Sequence, residues 1–119
     1  MAENITVDPK DAQDNKVMAI LAYIGILVLV PIFAAKESPF ARFHANQGLV
    51  LFIAMVAFSI IAQVVTIVLV MIAPALALIG TLLSLVSIVF IVLAIIGIIN
   101  AAKGEAKELP IIGKYKILK

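Results

Sequence analysis

The chain has 119 residues, of which 65% are hydrophobic and 13% charged, and its formal net charge is +2. Soluble domains are about 45–50% apolar and about 25% charged, and a small domain cannot bury this much apolar surface, so the composition excludes a soluble monomer. The absence of cysteine excludes disulfides and thiol chemistry, and the small net charge without arginine clusters gives no indication of nucleic-acid binding.

The first predicted element is a helix over about 9–35. Asp8 and Pro9 form a cap-plus-proline start, and residues 17–35 carry no charged side chain, which is close to the roughly 20 residues that cross a bilayer. The segment before Val17 is net acidic, so we expect no cleavable signal peptide.

After an elbow over 36–38, a second helix is predicted over about 39–72 and a third over about 77–103. Residues 45–102 contain no charged side chain. As one helix they would reach roughly 87 Å, which suits two crossings of a hydrocarbon core about 30 Å thick. Pro74 interrupts them near the middle and predicts a turn over 73–76, while Lys103 and Gly104 are typical of a helix end.

The predicted fold class is therefore all-α: an integral membrane protein with three transmembrane helices, the second and third forming an antiparallel hairpin. Residues 1–119 form a single membrane domain that ends in a basic interfacial tail over 104–119, with a solvated tail as the alternative. The loop at Lys36 and Arg42 would share a side with the five C-terminal lysines. That side then has seven basic residues, against Lys10 and Lys16 on the other. The difference predicts an inner or plasma membrane protein with its N-terminus outside and its C-terminus cytoplasmic.

The stretches expected within the bilayer, residues 17–35 and 45–102, contain no acidic, basic or histidine residue. Such residues mark proton relays and ion paths, so we expect no enzyme activity and no cofactor. Uncharged polar residues recur at helical spacing on the second helix and on the third: Ser59, Gln63 and Thr66, then Thr81, Ser84 and Ser87. In an antiparallel hairpin these two stripes meet at matched depths, which favours interhelical contact. A polar lining for a substrate path is the alternative.

The most distinctive segment begins the second helix. Phe40, Phe43, His44 and Gln47 share one helical face. The two rings suit an anchor at the lipid boundary beside Arg42. For His44, a structural role is favoured over titration or a headgroup contact, and one histidine without cysteine predicts no metal site.

Three stretches together carry a family resemblance: residues 14–23 (DNKVMAILAY), 38–49 (SPFARFHANQGL) and 100–105 (NAAKGE) followed by Leu109 and Pro110. They resemble a family of small prokaryotic membrane proteins of unknown function that is similar to the chloroplast inner-envelope import component, the twenty-kilodalton Tic subunit. Arg42, Phe43, His44 and Gln47 match its signature. The resemblance implies a helical inner-membrane protein related to protein-translocation components, and it supplies no catalytic residue.

The sequence thus predicts a non-enzymatic membrane scaffold or accessory subunit, and the resemblance implies an import-like role. Its expected contacts are the lipid bilayer and a membrane-protein partner or a second copy. A small oligomeric channel or solute carrier lined by the uncharged polar residues is the alternative. Lipid binding by Arg42, His44 and the lysine tail is a third possibility.

Overall fold

Short helices, rather than one continuous span, form the first part of the chain. The computed structural model describes residues 6–118, so Glu3 and Lys119, which the charge counts include, lie outside the described residues. Helix α1 spans Pro9–Asp14 and α2 spans Lys16–Leu21, and a 3₁₀ turn at Gly25–Val28 leads into α3 at Leu29–Ala34.

The prediction of a first transmembrane helix over about 9–35 is wrong. Helix α2 ends at Leu21, and Gly25 adopts a φ of 54°, in the left-handed region that glycine enters without steric cost. The apolar stretch Gly25–Ala34 is too short to cross about 30 Å of hydrocarbon. Hydrophobicity alone does not reveal such a break, because residues 17–35 are as apolar as a continuous span.

Two long helices remain as candidate spans. Helix α4 covers Pro39–Ile72, a 3₁₀ turn covers Pro74–Leu76, and α5 covers Ala77–Ala102. By length and composition, α4 and the segment Pro74–Ala102 are able to cross a membrane. Every regular element in residues 6–118 is helical, so the predicted all-α class is confirmed, with two candidate spans instead of three.

The start of α4 is fixed by local capping and by a contact with α1. The Ser38 hydroxyl accepts a hydrogen bond from the Ala41 amide at 3.0 Å, and Pro39 occupies the first helical position, where its missing amide hydrogen costs nothing. The Asp11 carboxylate then accepts from the Ser38 hydroxyl at 2.6 Å and from the Phe40 amide at 3.0 Å. Helix α1 is thereby held against the first turn of α4.

The end of α5 reverses the chain through a Schellman motif. Gly104 has a φ of 73°, its amide donates to the Ala101 carbonyl, and the Glu105 amide donates to the Asn100 carbonyl. Residues 105–118 consequently fold back against the start of α4, where Ala106 and Leu109 are buried. The predicted interfacial tail thus lies on the protein's own core.

The core is confined to one end of an elongated molecule of 57 × 25 × 21 Å. Its buried cluster draws on the N-terminal helices, the first turns of α4, the last turns of α5 and the tail, with Tyr23, Phe40, Leu93, Ala101 and Leu109 among its members. Between this core and the turn at Pro74–Leu76, α4 and α5 contact each other through Phe58 and Phe90, whose ring centroids lie 5.7 Å apart.

The outer surfaces of α4 and α5 in this second half are apolar and exposed. Ile60, Met71, Leu78 and Leu85 are examples, and α4 buries nothing beyond Leu51. Beyond Leu51, α4 continues to Ile72, which is about 32 Å at 1.5 Å per residue, and the whole of α5 reaches about 39 Å. Both lengths match or exceed the hydrocarbon thickness of about 30 Å.

Candidate functional site

His44 is fully buried and joins three parts of the chain. Its Nε2 lies 2.8 Å from the Glu105 carbonyl oxygen and its Nδ1 lies 2.5 Å from the Tyr23 hydroxyl. Because a carbonyl oxygen can only accept, Nε2 is assigned the proton, and in the neutral ring the Tyr23 hydroxyl donates to Nδ1. Both ring nitrogens are thus bound by the protein's own groups.

Aromatic rings surround this imidazole. The centroids of Phe40, Phe43 and Tyr23 lie 4.8, 5.3 and 5.5 Å from that of His44, all in edge-on arrangements. Phe40 and Phe43 are buried, so the prediction that they anchor the chain at the lipid boundary is wrong. The burial of His44 likewise excludes the headgroup contact considered for it.

The Gln47 side chain, also fully buried, holds the tail at two points. Its Oε1 accepts from the Leu109 amide at 2.8 Å, and its Nε2 donates to the Gly113 carbonyl at 2.9 Å. Both bonds satisfy backbone groups that would otherwise be buried without a partner. Arg42, the remaining residue of the signature, lies in the first turn of α4 and is partly buried.

Sequence reasoning missed three residues that take part in these contacts. Asn46 accepts hydrogen bonds from the Ile117 and Leu118 amides, Tyr23 binds His44, and Asp11 binds the start of α4. The one available signal was a polar group in an apolar context: a tyrosine hydroxyl within residues 17–35, and an asparagine directly beside the glutamine of the signature.

Asp11 has an altered acidity that follows from its contacts. Desolvation raises its pKa, but hydrogen bonds from the Ser38 hydroxyl, the Phe40 amide and the Asn15 amide outweigh this effect, and the net pKa is lowered. The Asn15 Nδ2 lies 2.8 Å from the same carboxylate. These bonds favour the ionised carboxylate, so its charge and the docking of α1 depend on each other.

The predicted polar stripes lie on the outside of α4 and α5. Except for Thr81, they line one shallow cavity of about 190 Å³ together with Gly80 and Phe58: Ser59, Gln63, Thr66, Ser84 and Ser87. Gln63 and Ser84 are exposed there. Thr66 packs against Gly80, where an added Cβ would lie 2.6 Å from the Thr66 Cγ2.

Thr66 and Ser84 each form a side-chain hydrogen bond within their own helix. The Thr66 hydroxyl donates to the Ala62 carbonyl at 2.7 Å, and the Ser84 hydroxyl donates to the Thr81 carbonyl at 2.6 Å. The cavity lies between the two helices, and the exposed surface of these helices also carries apolar side chains, including Ile60 and Leu85.

Comparison with known proteins identifies relatives. Residues 14–116 match the model of the magnetosome magnetite crystal formation protein family. The magnetosome protein MamF of Magnetospirillum gryphiswaldense is 43% identical over 54 residues, which cover 43% of this chain and 49% of that protein. MamF of Paramagnetospirillum magneticum is 39% identical over 54 residues, with the same coverage.

A third relative, the magnetosome protein MmsF of Paramagnetospirillum magneticum, is 46% identical over 35 residues, which cover 29% of this chain and 33% of MmsF. The chain spans about half the length of the MamF proteins, or less for MmsF. No solved structure matches the chain. The resemblance to the chloroplast import component is wrong, because the family model and these relatives all belong to magnetosome proteins.

Proposed function

The chain belongs to the magnetosome magnetite crystal formation protein family, and from this premise we propose that it is a non-enzymatic subunit of the magnetosome membrane. In this role it supports magnetite crystal formation by binding another membrane protein or a second copy through the outer face of α4 and α5. The observation that carries the proposal is the exposed polar cavity around Gln63 within an otherwise apolar surface.

The membrane placement rests on the dimensions and surface of α4 and α5. Both are able to span a bilayer by length and composition, and their outer side chains would be stable in lipid but not in water. We place them as an antiparallel hairpin that crosses the membrane, with the turn Pro74–Leu76 at one surface and the buried core at the other.

Charge sets the proposed orientation. The described basic residues lie in the N-terminal helices, in the loop before α4, in the first turn of α4 or from the end of α5 onward. These places are at the core end of the molecule. The turn at Pro74 carries no charge. By the positive-inside rule, the core end is cytoplasmic, and the N-terminal helices and the tail share that side. This replaces the earlier expectation of an external N-terminus.

The proposed binding face follows from the cost of exposing polar groups to hydrocarbon. A glutamine amide facing lipid has no water to bind, so a hydrogen-bonding partner from a neighbouring helix stabilises it. The small residues Ser59 and Ser84 are exposed at this cavity and let a partner backbone approach closely. Interhelical contacts of this kind contribute about 0.6–2 kcal/mol each, so several together form a stable pair.

The absence of catalysis is part of the proposal. Residues 45–102 hold no charged side chain, and the single histidine has both ring nitrogens bound by protein groups. These features support a role through contact rather than chemistry.

Photocrosslinking in native membranes tests the proposed face. A photoreactive phenylalanine derivative is placed at Gln63 or, as a control at similar depth on another side of α4, at the exposed Ile61, and the chain is produced in Magnetospirillum gryphiswaldense. We expect the Gln63 variant, but not the Ile61 variant, to form a discrete adduct in the magnetite-bearing membrane fraction. Equal adducts at both positions, or a lone monomer throughout, would contradict the proposal.

The same cavity supports a second candidate, a pore or solute carrier, because its lining is uncharged and polar. In one chain the cavity is open on its outer side, so a conducting path requires several copies. Liposome flux separates the two functions: Gln63→Leu should abolish flux if these residues line a path, and unchanged flux eliminates the carrier.

A further inference from the structure

A second cavity, of about 340 Å³, lies at the core end between α1 and the end of α5. Lys16, Lys103 and Gln13 are the polar residues that line it. Its remaining wall is small and apolar, and includes Val7, Ala12 and Gly104. The cavity is separate from the polar cavity around Gln63 and from the His44 cluster.

The two lysines of the cavity lie at helix termini. Lys16 is the first residue of α2 and Lys103 caps the end of α5. Between them, Ala12 lies so close to Gly104 that a Cβ on this glycine would be 3.4 Å from the Ala12 Cβ. Helix α1 and the chain reversal after α5, where Gly104 has a φ of 73°, are therefore in van der Waals contact beside the cavity.

The cavity is electrostatically unbalanced. No carboxylate lines it, because the acids of α1 are bound elsewhere: Asp11 by Ser38 and the Phe40 amide, and Asp14 by Lys10 at 3.8 Å. Within the described part of the chain, Lys16 and Lys103 therefore share a cavity without a counter-charge. A bound anion would relieve their mutual repulsion, and Gln13 supplies an additional hydrogen-bond donor.

The position of the cavity indicates the source of the anion. Lys103 follows directly after the last residue of the apolar helix α5, and exposed apolar side chains lie just on its membrane side, including Ile99 and, beside Lys16, Val17. The cavity is thus level with the lipid headgroups when α5 crosses the bilayer. We propose that it binds the phosphate group of an anionic phospholipid, with Lys16 and Lys103 as the cationic partners.

The test uses the full chain in nanodiscs of phosphatidylcholine with or without phosphatidylglycerol. The phosphatidylglycerol that remains bound per chain after a detergent wash is measured by mass spectrometry. The variant Lys16→Gln/Lys103→Gln is compared with Lys36→Gln/Lys114→Gln, which removes the same charge outside the cavity. We expect the retained phosphatidylglycerol to fall in the first variant only. The corresponding loss of affinity for this lipid is about twenty-five-fold, at roughly fivefold per lysine.

The variant Lys16→Arg/Lys103→Arg keeps the charge and should retain the lipid, which separates loss of charge from loss of fold. Equal retention by the two glutamine variants would overturn the proposal. A titration with inorganic phosphate, followed through the Gly104 amide resonance, distinguishes the source. If free phosphate saturates the site while lipid retention is insensitive to both lysines, the phospholipid assignment is overturned in favour of soluble phosphate.

Discussion

The Tyr23 hydroxyl and the His44 imidazole, 21 positions apart in the chain, are joined by a hydrogen bond of 2.5 Å at the centre of the core. Tyr23→Phe removes the hydroxyl and leaves Nδ1 of a buried ring without a donor. We expect the free energy of unfolding to fall by about 1–3 kcal/mol, measured by denaturant titration in detergent micelles.

Tyr115→Phe is the matched control, because Tyr115 is 56% exposed. We expect its effect to stay within about 0.5 kcal/mol. If the two substitutions had the same effect on unfolding, the Tyr23–His44 bond would not stabilise the core.

The attachment of the tail depends on Gln47. Gln47→Leu leaves the Leu109 amide and the Gly113 carbonyl without their partner, so we expect the tail to detach more often. The measurement is the rate of tryptic cleavage after Lys114 and Lys116, which should rise about tenfold, as a loss of about 1.4 kcal/mol in local stability implies. Gln63→Leu, far from the tail, should leave this rate unchanged, and an unchanged rate in Gln47→Leu would contradict the role of Gln47.

Three glycines should differ in their tolerance of alanine. An added Cβ would overlap the Ala22 carbonyl at Gly48, the Tyr23 ring at Gly97 and the Thr66 side chain at Gly80. Backbone and a buried ring cannot move away, whereas the Thr66 side chain rotates. We expect Gly48→Ala and Gly97→Ala to destabilise the protein by about 1–3 kcal/mol and Gly80→Ala by less.

Thermal unfolding of the three variants in the same detergent gives this ranking directly. A loss of stability in Gly80→Ala that equals or exceeds that of Gly48→Ala would show that α2 does not pack closely on α4.

Asp11 predicts a dependence of stability on pH. Its pKa in the folded protein lies below the ordinary value of 3.8, so its bonds contribute stability that is fully present above that value and is lost as pH falls through the lowered pKa. Asp11→Asn should therefore destabilise the protein at pH 7. The difference from the wild type should shrink on acidification below the ordinary value.

Unfolding midpoints measured from neutral to strongly acidic pH test this expectation. Asp14→Asn serves as the control, because its side chain is exposed and pairs with Lys10 across the surface. A gap between the wild type and Asp11→Asn that stays constant over this range would contradict the assignment.

Local signals in the sequence were sufficient where local chemistry decides the structure. Asp8 and Ser38 cap helices ahead of prolines, and Gly104 reverses the chain after α5. The helical class followed from the long uncharged stretch at residues 45–102. These features depend on neighbours within a few positions, which the sequence displays directly.

Tertiary contacts decided what the sequence could not show. The break near Gly25 places Tyr23 against His44 and Gly97, contacts that no local pattern reveals, and it reduces three predicted spans to two. Phe40 and Phe43 likewise lie in the core because the N-terminal helices and the tail cover them. The polar residues around Gln63 were found by their helical spacing, and five of the six predicted positions line one cavity.

In the proposed topology, two helices cross the membrane, and the N-terminal helices and the described tail both lie on its cytoplasmic side. Because the chain has no cysteine, Gln13→Cys, Lys114→Cys and Ala75→Cys each introduce one thiol at an exposed position, and a membrane-impermeant maleimide applied to sealed vesicles of known orientation reports its side. We expect labelling of Gln13→Cys and Lys114→Cys from the cytoplasmic side and of Ala75→Cys from the opposite side. Labelling of Gln13→Cys and Lys114→Cys from opposite sides would show an odd number of crossings and contradict the account.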